Sequence, residues 1–293
     1  MRIAVITPVR NEEAYLSTTL SCMAGQTLPP VRWIIVDDGS TDRTGELARS
    51  FAGSHPYVAY VRLPDRGSRR PARGVIEAFN EGYRRLGSDG YDVIAKFDGD
   101  LEFPSHTLER IAAAFEADPG LGITGPTRYE RRNKGREYRK VLVPRGFVGG
   151  PYKFYRKTCF EQIGPLVPRP GWDGVDIARA RMRGWKTGEL DDLIVRHLKP
   201  TGTAEGEGLR KACEKYGHVS YYMGGYLWYF LLRVVMRSLE ARNPGVGWFM
   251  LRGFLDARRR REQRGSAELR KQVRRMQLRN MAGWLSCPVW KRG

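Results

Sequence analysis

Short apolar runs alternate with amphipathic stretches through the first hundred residues. Ile3-Ala4-Val5-Ile6 is unbroken and ends at Thr7-Pro8, which reads as a buried strand. Tyr15, Leu16, Thr19, Leu20 and Met23 then recur at helical spacing. Val31 to Val36 predicts a second strand and Thr44 to Phe51 a helix. Tyr57 to Leu63 predicts a third strand, and a helix containing Ala78-Phe79-Asn80 follows it. Val93-Ile94-Ala95 opens a fourth strand, and a helix is expected from about Ser105, as N-cap, to Ala117. Beyond Gly120 the pattern weakens. Leu121 to Thr124 predicts a strand, and Arg128 to Lys140, dense in charge, a mobile loop. Tyr152 to Tyr155 reads as a strand and Lys157 to Ile163 as a short helix. A helix opened by Trp172-Asp173-Gly174-Val175-Asp176 runs to Arg183 and closes at Gly184. Leu193 to His197 predicts an edge strand.

Strands alternating with helices imply a parallel sheet wound by right-handed crossovers. Ligands of such sheets sit beyond the carboxyl ends of the strands. Three polar clusters follow strand ends here: Thr7 to Glu12, Asp37 to Asp42, and Asp98 to Asp100. All three should line one crevice. Asp98 and Asp100 stand two apart, so along an extended chain their carboxylates point to one side. That suits Mg²⁺ or Mn²⁺, which take carboxylate oxygens together with substrate phosphate oxygens. Gly99 between them lets something approach the backbone closely. Alone, the tripeptide reads better as an Asp-Gly turn between a strand and a helix, because short motifs match by chance. Three converging clusters need a common ligand, and this favours the metal. For Asp42, capping of the following helix is the preferred role, and for Glu12 capping is the alternative.

The chain has 293 residues, ample for an α/β domain and an appendage, and a formal charge of +19. Such an excess implies an anionic partner: a nucleotide, a nucleic acid or an anionic membrane surface. Residues 251–293 alone hold thirteen Lys or Arg against three Asp or Glu. Four cysteines, Cys22, Cys159, Cys213 and Cys287, show no CxxC spacing, which argues against a zinc site or disulfide framework and fits a reducing compartment. The apolar run at Ile3 is too short for a secretory leader. Tyr221 to Met236 is apolar but for Arg233, and it falls short of the roughly 20 residues of a membrane span. With its Tyr and Trp content and basic flanks, including Arg258 to Arg261, it reads as an interfacial attachment to anionic lipid. A helical hairpin packed on the preceding domain, or a homodimer contact, is the other reading. Nucleic-acid binding would call for basic and aromatic residues on one platform. Carboxylates at the strand ends repel phosphate unless a metal intervenes, so no nucleic-acid partner is expected. Nucleotidyl transfer would call for a Gly-rich basic loop early in the chain, where TPVRNEE stands instead.

TPVRNEE, VDDGSTD, GSRRPARGVIEAFNEGY, KFDGDLEFP and the WDGVD…RMRGW helix occur in that order. Over about residues 3–200 the set resembles the family 2 glycosyltransferases, inverting enzymes of the GT-A fold. The resemblance implies a Rossmann-like, mostly parallel α/β sheet in residues 1–203. Residues 204–293, beyond it, read as a helical, basic extension. It implies a metal-dependent hexosyltransferase that takes a nucleoside-diphosphate sugar. The acceptor would be a lipid-linked sugar or glycan precursor, or the phosphate of a polyprenyl phosphate, at the inner face of the plasma membrane. Pro8, Arg10 and Glu12 match the first nucleotide-contacting loop, and Asp37 and Asp38 the acidic pair that contacts base and ribose. Asp98, Gly99 and Asp100 match the DxD element that holds the divalent ion on the diphosphate. His197 stands where some members place a further metal ligand. Arg73, with Arg66, Arg69 and Arg70, is a candidate phosphate contact. The family's catalytic base is the Asp of a Glu-Asp pair that opens the late helix, and this chain lacks the pair. Counting back from Gly184 puts Asp173 on the base and Arg179 on a familiar helix Arg. Counting forward puts Gly174 there, with Asp176 as the substitute. Asp173 is taken as the base, with Asp176 second.

Overall fold

Seven consecutive buried residues, Ile3–Val9, form β1, and its neighbours account for that burial on every side. β2 (Arg32–Asp37) and β4 (Val93–Phe97) flank β1 in parallel, and β3 (Val58–Arg62) extends the sheet beyond β2. A computed structural model of the chain describes residues 1–67, 72–87, 90–131, 137–141, 143–199 and 208–285. The chain divides into two compact units, Met1–Thr201 and Gly202–Gly293.

In the first unit α1 (Leu16–Ala24), α2 (Thr44–Ser54) and α3 (Arg73–Leu86) connect the four parallel strands. α1 buries Leu16, Thr19, Leu20 and Met23, the stripe its spacing predicts. α3 packs so closely that a Cβ on Gly82 would lie 2.6 Å from Ile6. The strand order is β3-β2-β1-β4-β8-β6-β9-β5. The chain winds from β1 out to β3, then returns to place β4 on the other side of β1. The winding reverses between β1 and β4, and a crevice opens at their carboxyl ends.

The second half of the sheet departs from the expected parallel pattern. β8 (Tyr152–Arg156) runs antiparallel to both β4 and β6 (Leu121–Arg131). β7 (Tyr138–Lys140) pairs antiparallel with β6. Much of the charged stretch read as a mobile loop is therefore sheet, and residues 132–136 lie outside the described part. Charge is tolerated there because it is paired: Arg128 Nη1 lies 3.2 Å from Glu130 Oε1. The predicted edge strand is only the end of β9 (Lys186–His197). It lies inside the sheet, between β6 and the two-residue β5 (Leu101–Glu102). A register shift after Pro126, opposite Leu190, resumes with Thr127 opposite Ile194, and so bulges Asp191 and Asp192 outward. α4 (Thr107–Ala117) has His106 at its cap position, one residue after the expected Ser105. The Ser105 carbonyl accepts from the Thr27 amide at 2.9 Å instead of opening the helix. α5 (Lys157–Ile163) has the expected bounds, and α6 (Trp172–Met182) is followed by Gly184 at φ +86.

The second unit is helical: α7 (Leu209–Met223), α8 (Leu227–Glu240), α9 (Pro244–Arg259) and α10 (Ala267–Leu285). The run Tyr221 to Met236 is not one element. Gly224, at φ +59, ends α7 in the left-handed conformation, which a Cβ would oppose. Cys213, Phe230, Val234, Val246 and Met250 form the small core. α7 and α9 touch backbone to backbone, where a Cβ on Gly217 would strike the Met250 carbonyl. Among the described residues, no helix is long and apolar enough to cross a membrane.

Candidate active site

The loops after β1, β2 and β3 are tied to one another by side chains. Arg10 donates to the Asp38 and Gly39 carbonyls and to Asp65 Oδ1 at 2.8 Å, so one guanidinium spans three loops. Pro8 is buried in β1 opposite Val36. Asn11 takes φ +51, a conformation Asn tolerates, and its Oδ1 accepts from the Thr41 amide at 2.9 Å. Asp42 accepts from the Thr44 and Glu13 amides, one residue ahead of Arg43, which holds the cap position of α2 without a side-chain cap hydrogen bond. Glu12 is buried, with Lys199 Nζ 3.2 Å from its Oε1.

The acidic pair splits in two. Asp37 is fully buried and accepts from the Ser40 amide, the Tyr60 hydroxyl and Arg62. Asp38 faces Arg66, which also holds Glu77. Burial pushes the Asp38 carboxyl up, against the lowering pull of Arg66. Arg73 opens α3 and donates to Glu77 at 2.7 Å. Arg69 and Arg70 lie outside the described residues. The tight approach at Gly99 is made by the protein itself, since a Cβ there would lie 2.7 Å from Val9.

Asp98, Asp100 and His197 come together at the crevice. One ligand atom from each lies within 4.8 Å of the others. β4 delivers Asp98, the turn into β5 delivers Asp100, and β9 delivers His197, whose Cα is paired with that of Leu101. His197 Nε2 lies 3.3 Å from Asp100 Oδ2, and Nδ1 lies 3.2 Å from Glu130 Oε1. Burial opposes the imidazolium, but Asp100 and Glu130 outweigh it and push the His197 pKa up to about 9. Burial pushes the Asp98 carboxyl up, against Lys96. Asp100 Oδ1 is buried without a hydrogen-bond partner. An orphaned carboxylate oxygen beside a second carboxylate and an imidazole fits a divalent cation such as Mg²⁺ or Mn²⁺.

Lys96, only 2% exposed, donates from Nζ to Asp98 and to the Gly150 carbonyl at 2.9 Å. Across Gly150 stands α6. A Cβ on Gly150 would lie 3.0 Å from Trp172 and 3.5 Å from Asp173 Oδ2. Asp173, in the first turn of α6, is therefore linked to the cation site through Gly150 and Lys96. Asp176 is not open. It is buried, with Lys153 Nζ at 2.8 and 2.9 Å and the Tyr155 hydroxyl at 2.6 Å. Lys153 also donates to the Asp173 carbonyl at 2.6 Å, fixing the start of α6. Arg179 points elsewhere, to the Ile163 carbonyl at 3.2 Å.

Sequence reading missed Lys96, Lys153, Glu130, Asp65, Glu77 and Lys199. Lys96 carried one signal: a lysine inside an otherwise apolar strand, two residues before a carboxylate, needs an anion to be buried.

A reversing sheet with this cleft and an Asp-x-Asp at its β4 edge is the GT-A architecture of nucleotide-sugar-dependent glycosyltransferases. The Glycosyl transferase family 2 profile matches residues 4–170, and the chain belongs to that family. It is 32% identical over 233 residues to the polyprenol monophosphomannose synthase of Mycolicibacterium smegmatis, covering 73% of this chain and 85% of that one. It is 26% identical over 194 residues to the glycosyltransferase GlyA of Streptococcus pneumoniae, covering 59% of this chain and 27% of that one. The chain spans 27%, 25% and 42% of the lengths of three curated relatives it matches. Among solved structures, the mannosyltransferase PcManGT from Pyrobaculum calidifontis, in complex with GDP-Man and Mn²⁺, superposes with a TM-score of 0.57 at 16% identity. That superposition covers 100% of this chain and 88% of that one.

Proposed function

We propose that the protein is an inverting, metal-dependent glycosyltransferase. It moves a sugar from a nucleoside diphosphate to the hydroxyl of a lipid-linked or glycan acceptor, as in envelope polysaccharide synthesis. The observation that carries this reading is the convergence of Asp98, Asp100 and His197 within 4.8 Å, at the crevice where the winding reverses. These three residues would hold the Mg²⁺ or Mn²⁺, which when bound supplies Lewis-acid stabilisation of the leaving diphosphate. In this reading Asp38, freed from Arg66, meets the nucleoside, and Arg66 and Arg73 meet phosphate, while Asp37, Arg10 and Glu12 hold the loops in shape. The acceptor hydroxyl attacks the anomeric carbon on the face opposite the diphosphate. Asp173 takes the proton as the new C–O bond forms, and the electron pair of the breaking bond leaves on the diphosphate oxygen. Asp176 positions α6 through Lys153. Free Cys22, Cys159 and Cys213 fit a reducing cytoplasm.

A second reading is favoured by the likeness to a polyprenol monophosphomannose synthase: the acceptor would be a lipid phosphate. That oxygen is already ionised and needs no base. One experiment serves both readings. Hydrolysis and transfer are measured with a panel of UDP-, GDP- and dTDP-sugars, in Mn²⁺ and in EDTA, for the wild type and D173N. Loss of a general base costs roughly 10²–10⁴ in rate, so D173N should lose transfer to hydroxyl acceptors by that factor. Full transfer by D173N to a polyprenyl phosphate selects the second reading. Undiminished activity in EDTA would remove the metal from both.

A further inference from the structure

We propose that the outer face of α8 is a docking surface for an anionic lipid bilayer. The inner face of this helix is accounted for: Phe230 and Val234 pack against Val246 and Met250 of α9. The other side is apolar too. Leu227, Leu231, Val235 and Leu239 follow one another at four-residue spacing, with Trp228 and Leu232 beside them. Their exposures run from 37% at Leu232 to 72% at Leu239. Residues four apart on a helix stack into one ridge, so the six make a continuous strip. Scattered exposed leucines are ordinary, but a contiguous strip of this kind marks a partner.

Length and charge identify the partner. Fourteen residues rise about 21 Å, short of the roughly 30 Å hydrocarbon core, so the helix can lie on a bilayer but cannot cross it. Residues 208–285 carry seventeen Lys or Arg against five Asp or Glu. Arg258 to Arg261, at the end of α9, are all exposed. A second copy of the chain would bring up a unit of the same strong positive charge, which opposes self-association. A nucleic acid would satisfy the arginines but leave the leucines in water. A bilayer containing anionic headgroups satisfies both, with Trp228 at the depth where indoles settle.

The test uses the full chain and reads binding, with no sugar transfer involved, so it stands or falls apart from the catalytic reading. The protein is sedimented with phosphatidylcholine vesicles, with and without phosphatidylglycerol. Wild type should pellet with the phosphatidylglycerol vesicles and be released in part by salt. L231E/V235E should lower the bound fraction by at least about tenfold with its thermal unfolding unchanged. W228A, a milder variant, should weaken binding in the same direction. Replacing all four of Arg258 to Arg261 by Gln should abolish the preference for phosphatidylglycerol. The proposal is overturned if wild type stays in the supernatant with both vesicles, or if L231E/V235E binds as well as wild type. It is also overturned if the strip proves to be a dimer contact, with wild type dimeric and L231E/V235E monomeric in solution while vesicle binding is unaltered.

Discussion

The buried pair Lys153 and Asp176 should behave as a unit, and its removal can be worked through. Lys153 is 0% and Asp176 3% exposed, so solvent screens neither. Lys153 alone gives the carboxylate two contacts and gives the Asp173 carbonyl a third. K153M leaves an uncompensated buried carboxylate, which costs about 3–5 kcal/mol. At roughly 2–4 °C per kcal/mol for a unit of this size, the melting temperature should fall by about 6–20 °C. D176L should cost a similar amount, because it strands the ammonium. The double variant K153M/D176L buries no charge. It loses chiefly the Tyr155 hydroxyl's acceptor, about 1–3 kcal/mol. Urea unfolding of the four proteins gives the cycle. Singles that sum to well above the double, with a coupling of at least about 2 kcal/mol, would support the reasoning. Additive losses would refute it and would mean that Asp176 is wetter than its surroundings here indicate.

Two further predictions concern the cation site and a buried acid of β9. D100N should abolish Mn²⁺ binding read by calorimetry, and H197Q should weaken it by at least about tenfold; unchanged affinity in both would move the cation elsewhere. Glu189 has its Oε1 buried without a partner, and burial pushes its carboxyl up from 4.5 to about 7. Because the folded value lies above the unfolded one, its contribution to stability is complete below pH 4.5 and lost as pH rises through 7. The wild type should therefore lose stability across that window more steeply than E189Q, as followed by melting temperature against pH.

What the sequence discloses depends on which forces leave a mark in it. β1, β2 and β4 are buried on both faces, and that burial writes itself as unbroken apolar runs. Asp98 and Asp100 are legible because an extended strand converts spacing into direction. Hydropathy shows the start of β6, Leu121 to Thr124, but not its charged second half or β7. Their charges are neutralised by partners far along the chain, as with Glu130 and His197, and the pattern records only that they are charged. The same blindness covers Lys96 and Lys153, which hydropathy marks only as polar although each stands inside the sheet against carboxylate and carbonyl oxygens. The tie between Glu12 and Lys199 joins residues 187 apart, a distance no local reading crosses. The missing Glu-Asp pair made Asp173 the first choice for the base and Asp176 the second. Their surroundings differ: Asp176 is enclosed and Asp173 only partly buried.

Three acids of the cleft face a cation from the chain: Asp98 has Lys96, Asp38 has Arg66, and Glu12 has Lys199. A divalent ion arriving alone at Asp98 and Asp100 would meet Lys96 already there, and like charges in a poorly solvated cleft repel strongly. A nucleoside diphosphate arriving alone would meet the carboxylates. Arriving together, the ion satisfies the orphaned Asp100 oxygen while the diphosphate answers both the ion and Lys96. Metal and nucleotide should therefore bind cooperatively, each raising the affinity of the other by the same factor. Calorimetry of Mn²⁺ with and without UDP or GDP reads that factor directly. K96M should strengthen binding of Mn²⁺ alone and shrink the coupling. Equal Mn²⁺ affinities in the presence and absence of nucleotide, or a K96M protein that binds Mn²⁺ more weakly than wild type, would show that Lys96 does not compete for Asp98.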